Sequence, residues 1–314
     1  MKCPASSDII NAYERIKGLV HQTPVLTSQS INDICDTELY FKCENLQKVG
    51  AFKYRGATNA VLSLSEAAKM NGVATHSSGN HAAALALAAK INGIAAHIVM
   101  PENAPEIKKK AVAGYGAQIT FCQATLEARE KTLEEVVLKT GATMVHPYNQ
   151  WEVICGQGTA SLELMQRHKD LDIVMTPVGG GGLLSGTATY IKEQFPDVKI
   201  IAGEPANADD AYRSFKSGIF QPVVNPDTIA DGLRTSLGSL TFEIIRDKVD
   251  DIITVGEASI AEAMRMIWER MKIIVEPSSA VPLAVVLENK PLFKNKKTGI
   301  VLTGGNVDLA KLPW

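Results

Sequence analysis

The sequence has no disulfide framework. Its 5 cysteines (Cys3, Cys35, Cys43, Cys122 and Cys155) are odd in number and widely spaced, and no CxxC occurs. That excludes a stapled miniprotein and a zinc cluster, and it favours a reducing, cytoplasmic setting. Cys43 and Cys155 sit among apolar neighbours and read as small buried hydrophobes. Long hydrophobic runs are also missing. No stretch approaches about 18 apolar residues, so no membrane span is expected. The opening residues, Met1 to Asp8, contain no apolar segment of the kind a signal peptide needs. The 6 histidines are scattered, without an HExxH, which leaves catalytic zinc without a motif. Neither sign of charge is in excess: Lys+Arg is 32 against Asp+Glu 34, for a formal net charge of -2. Nothing in that balance calls for nucleic acid or an anionic membrane as partner.

What is present is an ordinary globular composition, 46% hydrophobic and 21% charged, over 314 residues. At roughly 100–200 residues per domain, that length fits two lobes. Short apolar runs alternate with amphipathic stretches, the pattern of parallel sheets wrapped by helices. It predicts strands at Leu39–Cys43, Val73–His76, Ala96–Met100, Gln118–Phe121, Thr143–His146, Ile173–Val178, Ile200–Gly203, Ile252–Val255 and Gly299–Leu302. Helices are expected over Tyr54–Leu64, Ala82–Ile91, Glu106–Ala113, Leu126–Lys139, Trp151–Arg167, Leu183–Gln194, Ile260–Lys272 and Ser279–Glu288. Two βα series emerge, one over about 70–147 and one after about 150, with the N-terminal segment packing on the second. No low-complexity linker separates them, so a cleft between pressed lobes is the expected ligand site.

The glycine total of 24 is modest, but four glycines stand in a row. Gly179, Gly180, Gly181 and Gly182 follow a strong strand and precede a helix. Bare backbone there offers N–H groups to an anion, and the helix dipole adds favourable potential. A phosphate site is the functional reading, and a tight ligand-free turn is the bland one. The match to a dinucleotide fingerprint is incomplete. Ser185 stands where a third glycine belongs, while Glu204 follows the next strand like a ribose-binding acid. A nicotinamide-dependent oxidoreductase is therefore a remote alternative. In Gly50-Ala51-Phe52-Lys53-Tyr54-Arg55-Gly56-Ala57, a turn puts Lys53 at the start of a helix. The positive helix end and burial both lower a lysine's pKa, which suits it to Schiff-base chemistry. Taken alone, any single lysine reads as a solvated surface lysine. In Ser77-Ser78-Gly79-Asn80-His81, hydroxyls and an amide open an Ala-rich helix, placed either to hold a carboxylate or simply to cap the helix through Ser78 or Asn80.

Together with Thr303-Gly304-Gly305-Asn306, these motifs resemble the pyridoxal-phosphate enzymes of the tryptophan-synthase-β-like fold (fold-type II), specifically the serine racemase and serine/threonine dehydratase group. The resemblance covers nearly the whole chain in order. It implies an α/β, two-lobed enzyme, each lobe a mostly parallel twisted sheet flanked by helices. Residues 1–70 and 148–314 would form a discontinuous large cofactor-binding domain, and 71–147 a small mobile one. Lys53 would hold the cofactor and act as base on one face of the amino acid, with Ser78 as acid/base on the other. Gly179–Gly182 and Leu183 would bind the phosphate, Asn80 the ring hydroxyl and Thr303 the pyridine nitrogen, with Phe52 beside the ring. Ser77, Ser78, Asn80 and His81 would hold the substrate carboxylate. Arg129 stands where the racemases have an arginine near the substrate, and is otherwise a solvated helix charge. Glu204, the carbonyl of Ala208 and Asp210 would bind Mg²⁺ or Ca²⁺, for which oxygen ligands are suited.

The activity so implied is interconversion of L- and D-serine together with dehydration of serine, and of threonine as a further substrate, serine giving pyruvate and ammonia. Physical chemistry agrees: a hydroxyl such as Thr303 leaves the pyridine nitrogen largely neutral, and two bases on opposite faces suffice for racemisation. The alternative within the fold is a threonine or threo-3-hydroxyaspartate dehydratase with little racemisation. The resemblance also implies a homodimer. Ala83 replaces a glutamine that lies near a nucleotide effector in the animal racemases, so strong ATP activation is not expected.

Overall fold

In a computed structural model, residues 3–104 and 106–314 are described; Met1 and Lys2 of the opening stretch lie outside them. The chain begins with α1 (Ser6–Ile16), β1 (Val25–Leu26), α2 (Gln29–Cys35), β2 (Glu38–Cys43), α3 (Lys53–Leu62) and α4 (Glu66–Asn71). Strands and helices then alternate: β3 (Val73–His76), α5 (Asn80–Ile91), β4 (Ala96–Pro101), α6 (Glu106–Gly114), β5 (Gln118–Cys122), α7 (Leu126–Thr140) and β6 (Thr143–Met144). Next come α8 (Trp151–Arg167), β7 (Ile173–Pro177), α9 (Gly182–Gln194), β8 (Lys199–Pro205), α10 (Asp210–Ser217) and α11 (Ser239–Lys248). The last elements are β9 (Asp251–Val255), α12 (Glu257–Met271), α13 (Pro277–Glu288), α14 (Lys290–Phe293) and β10 (Lys297–Leu302).

The strands form two sheets, one ordered β5-β4-β3-β6 and the other β1-β2-β10-β7-β8-β9. Every pairing is parallel except β1 with β2. This is the expected α/β architecture. Parallel strands need crossovers, and helices supply them while covering both faces. β7 is accordingly buried at all its residues. Residues Ile9 and Ala12 of α1 share a core with Leu162 of α8 and Leu184 and Ala188 of α9, so the N-terminal segment does pack on the second series. A further core joins the smaller sheet to the rest: Ile16, Tyr54, Ala57 and Val153 pack with Val73, Leu85, Ile98 and Met100.

Several boundaries differ from expectation for identifiable reasons. β6 stops at Met144, not His146, because the chain turns off the sheet. There the Val145 carbonyl meets His81 Nε2 and the His146 amide donates to Gln150 Oε1. α5 starts at Asn80, two residues early; its N-cap is Gly79 and no side chain caps it, so neither Ser78 nor Asn80 plays that part. α1, α2, α4, α10, α11 and α14 add to the expected set; α1 is amphipathic, burying Ile9, Ala12 and Ile16 on one face.

Candidate active site

Lys53 is the first residue of α3. The loop before it is clamped to the end of β10: Ala51 bridges Gly304, and the Phe52 amide donates to the Thr303 carbonyl at 2.9 Å. Lys53 Nζ donates to the Pro147 carbonyl at 2.8 Å and lies 5.1 Å from the centre of the Phe52 ring. Burial lowers its pKa to about 8, against the opposing pull of the Glu276 carboxylate. Near physiological pH the neutral amine is therefore a minority form, but far more abundant than in an ordinary lysine.

The four glycines carry the chain from β7 into α9, whose first residue is Gly182. Gly181 has φ +86°, a left-handed backbone that side chains rarely adopt. A Cβ on Gly180 would lie 2.3 Å from the Tyr148 ring, and one on Gly179 would lie 3.0 Å from Leu233 Cα. The Gly180 carbonyl is taken by Thr241 Oγ1 at 2.8 Å. What remains on offer is the set of first-turn amides of α9, which have no acceptor within their own helix. Packing of Tyr148 and Leu233 thus explains why no side chain is tolerated, and the bare amides fit a phosphate.

Ser77 Oγ accepts the Gly79 amide at 3.3 Å, which shapes the turn into α5. Ser78 is half-buried, and among the described residues its hydroxyl has no protein partner. The His81 ring does not join the loop: it is buried, bonded to the Val145 carbonyl, and driven down to a pKa of about 3, chiefly by burial. It is a neutral imidazole, so what His81 can offer a carboxylate is its main-chain amide. Arg129 Nε donates to the Thr125 carbonyl, and its charge helps burial depress the pKa of His76, the last residue of β3 before Ser77. Arg129 therefore lies on the same side of the cleft as the serine loop.

Asn80 is fixed from across the cleft. Its Nδ2 donates to both Glu276 oxygens (3.0 and 3.2 Å) and its Oδ1 accepts from Asn306 Nδ2 at 2.9 Å. Sequence reasoning missed Glu276, which burial and the nearby Asp231 charge push up to about 7. The available signal was an acid just before Pro277, at the mouth of an otherwise apolar helix. Ser279 was missed as well. Its Oγ accepts the Gly304 amide at 2.7 Å and lies 3.0 Å from Thr303 Oγ1, holding that buried hydroxyl in place.

Glu204 and Asp210 come together at the end of β8. Glu204 accepts the Ala211 and Tyr212 amides at 2.9 and 2.7 Å, while both Asp210 carboxylate oxygens are buried without a partner. Burial raises both pKa values, Glu204 to about 9 and Asp210 to about 7. Among the described residues no cluster of three His, Cys, Asp or Glu side chains exists, so a cation here would need main-chain oxygen besides the two carboxylates. Such a donor set is hard and oxygen-only. Glu204 lies under two amides, which closes it to the ribose role of the nicotinamide alternative.

The chain matches the pyridoxal-phosphate dependent enzyme family over residues 16–304. It is 51% identical over 311 residues to serine racemase of Dictyostelium discoideum, covering 97% of this chain and 95% of that protein. A β-hydroxyaspartate dehydratase of Paracoccus denitrificans is 48% identical over 314 residues, all of both chains. A solved structure of the Dictyostelium racemase superposes with a TM-score of 0.94 at 52% identity, covering 97% of this chain and 99% of that one.

Proposed function

This chain belongs to the pyridoxal-phosphate-dependent enzymes, and from that premise we propose a serine racemase that also dehydrates serine, converting L-serine to D-serine and to pyruvate plus ammonia. The observation that carries the reading is Lys53. A half-buried lysine, its pKa lowered to about 8, opens a helix, in a chain whose glycine loop presents the first turn of another helix. Pyridoxal phosphate, when bound, supplies the electron sink that makes a Cα proton acidic. The roles of this chain's residues follow from their chemistry. Lys53 would hold the cofactor and move the proton at Cα on one face. The Ser78 hydroxyl, with no protein partner, suits the opposite face. The amides of Gly179–Gly182 and Leu183 would hold the phosphate, and Thr303, steadied by Ser279, would face the ring nitrogen as a neutral group. Asn80, its carboxamide oriented by Glu276 and Asn306, suits the ring oxygen. Ser77, the His81 amide and Asn80 would receive the substrate carboxylate.

Glu204, the Ala208 carbonyl and Asp210 fit Mg²⁺ or Ca²⁺, the unpartnered Asp210 oxygens being the supporting feature. The reading includes a homodimer in a reducing, cytoplasmic compartment, which the lack of any disulfide among the 5 cysteines suits. Among the described residues no helix is long and apolar enough to cross a membrane.

The test is incubation with L-serine, pyridoxal phosphate and Mg²⁺, following D-serine and pyruvate together. Both should form, and Ser78→Ala should abolish D-serine while pyruvate from L-serine persists. Absence of both products from the unmutated chain would sink the reading.

The Arg129 charge, on the serine-loop side of the cleft and felt at His76, favours a second reading, dehydration of threo-3-hydroxyaspartate, whose extra carboxylate needs a cation. Arg129→Ala should then slow hydroxyaspartate turnover by roughly tenfold or more, as loss of a charge-assisted hydrogen bond does. L-serine elimination should change little. Equal losses on both substrates would assign Arg129 no selective role.

A further inference from the structure

Directly behind Lys53 lies a closed set of four charges that the chemistry above does not use. Arg55, Lys42 and Glu44 are each 0% exposed and Glu163 is 1% exposed. Arg55 grips Glu44 with Nε and Nη2 (2.7 and 2.8 Å) and Glu163 with Nη1 and Nη2 (both 2.8 Å). Its remaining contacts are Nη1 to Thr159 Oγ1 and Nη2 to the His21 carbonyl, both at 3.3 Å. Lys42 Nζ donates to Glu163 Oε2 at 2.6 Å and to the Thr23 carbonyl at 2.8 Å. Thr23 Oγ1 in turn donates to Glu44 Oε1 at 2.6 Å. Two positive and two negative charges thus close on one another, and every arginine nitrogen has an acceptor.

Such a group is a poor source of stability. Desolvating four charges offsets much of their mutual attraction, and well-packed apolar side chains often serve as well or better. What it supplies is direction: a planar guanidinium clamped by two carboxylates permits one orientation. Arg55 is two residues beyond Lys53 in α3, which turns it about 200° around the helix axis. The face opposite the lysine is therefore the one that is clamped. The clamp reaches β2's end through Lys42 and Glu44, and α8 through Glu163. Against α8 the helix also sits at contact distance, since a Cβ on Gly156 would lie 2.6 Å from Gly56 Cα. Upstream, the tie is to the end of β10 instead, from a tight irregular turn in which Val49 and Gly50 both have positive φ (+56° and +67°).

We propose that Arg55, held by Glu44 and Glu163, is a positioning residue that fixes the rotation and axial setting of the first turn of α3, and with it the Lys53 amine. The proposal rests on Lys53 holding the cofactor, and the test separates the two. Cofactor-free chain is mixed with pyridoxal phosphate, and the borohydride-trapped adduct on Lys53 is timed and located by peptide mass. Thermal unfolding is read alongside. Eliminations of L-serine and of D-serine are compared on the loaded enzyme.

Arg55→Lys keeps the charge and loses the fork. It should fold, form the Lys53 adduct roughly ten- to a hundredfold more slowly, as small misplacements of a reacting group do, and lose L-serine turnover more than D-serine turnover. The asymmetry follows because Lys53 serves the proton on one face and Ser78 the other. A variant that melts lower but forms the adduct at the unmutated rate, with the L-to-D ratio unchanged, overturns the proposal. If Arg55→Lys does not fold, Glu163→Gln, nearly isosteric, decides by the same readings. Failure of the unmutated chain to form any adduct on Lys53 removes the assignment of the lysine itself.

Discussion

At the scale of single residues, the environment of Lys53 makes a prediction that needs no cofactor. Its pKa of about 8 means that in the cofactor-free chain the neutral amine grows in as pH passes that value. Labelling of Lys53 by an amine-directed reagent should therefore rise through about pH 8 and level off. Ordinary lysines continue to gain reactivity toward their usual value near 10.4. Peptide mapping across pH 6.5–10.5 at fixed reagent checks this, and a Lys53 profile like that of the bulk lysines would contradict it. The linked effect on stability has a definite sign. Between about pH 8 and the ordinary lysine value of 10.5, the unfolded chain binds a proton here that the folded chain has released, so stability rises with pH over that window. Below about 8 the full penalty of the buried ammonium is present. Glu276, itself pushed up to about 7, faces Lys53 electrostatically, so Glu276→Gln should move the labelling midpoint lower still.

At the scale of elements, the glycine loop between β7 and α9 shows what was legible in the sequence. A short, wholly apolar run followed by four glycines is a local signal, and the parallel strand, the loop and the helix all follow from it. The position of Lys53 was legible for the same reason, since Gly50, Ala51 and Phe52 make the turn. Glu276 and Ser279 were not legible as site residues. They reach Asn80 and Thr303 across 196 and 24 positions of sequence, and α13 carries them on a helix whose pattern is simply apolar. The direction of the His81 ring was not legible because it depends on where Val145 crosses behind it, a contact across 64 positions. The charge quartet escaped notice because Lys42, Glu44 and Glu163 read as ordinary polar positions until three elements converge on Arg55. Packing behind the glycine loop gives the test at this scale. Gly180→Ala drives a methyl into the Tyr148 ring and should destabilise the fold by about 1–3 kcal/mol, as overpacking does, while weakening cofactor retention. Gly18→Ala, at a position with nothing within 4 Å, should do neither. Denaturant unfolding and equilibrium dialysis against pyridoxal phosphate measure both, and an unaffected Gly180→Ala would show that the tight contact is relieved without consequence.

At the scale of the whole molecule, the two sheets do not each own a separate core. Helices α1, α3 and α8 contribute Ile16, Tyr54, Ala57 and Val153 to the apolar cluster of the smaller sheet, so that sheet is rooted in the larger body. The named polar links across the cleft are few: Asn80 to Glu276 and Asn306, Lys53 to the Pro147 carbonyl, and the partly exposed Lys108–Asp231 pair at 2.8 Å. An exposed pair of that kind contributes about 0–1 kcal/mol and weakens in salt. Apolar packing therefore carries cohesion, and the cleft is left to polar groups that ligands can replace. The Glu204–Asp210 site belongs to the cohesive part, at the end of β8 within the larger sheet. Two carboxyl groups 1% exposed, one with both oxygens unpartnered, resist ionisation, a cost that a divalent cation would relieve. At a hundredfold excess over Kd, a cation that binds only the folded chain adds about 2.7 kcal/mol, worth several degrees of melting temperature in a chain of this length. Mg²⁺ or Ca²⁺ should thus raise the melting temperature of chelator-treated protein, and Asp210→Asn should abolish that rise. In chelator, the Asn variant should be at least as stable as the parent, because a neutral carboxamide is cheaper to bury than an unpaired carboxylate. A parent whose melting temperature ignores both cations would strip the pair of its metal role. An Asn variant less stable in chelator would mean instead that the carboxylate serves the fold directly.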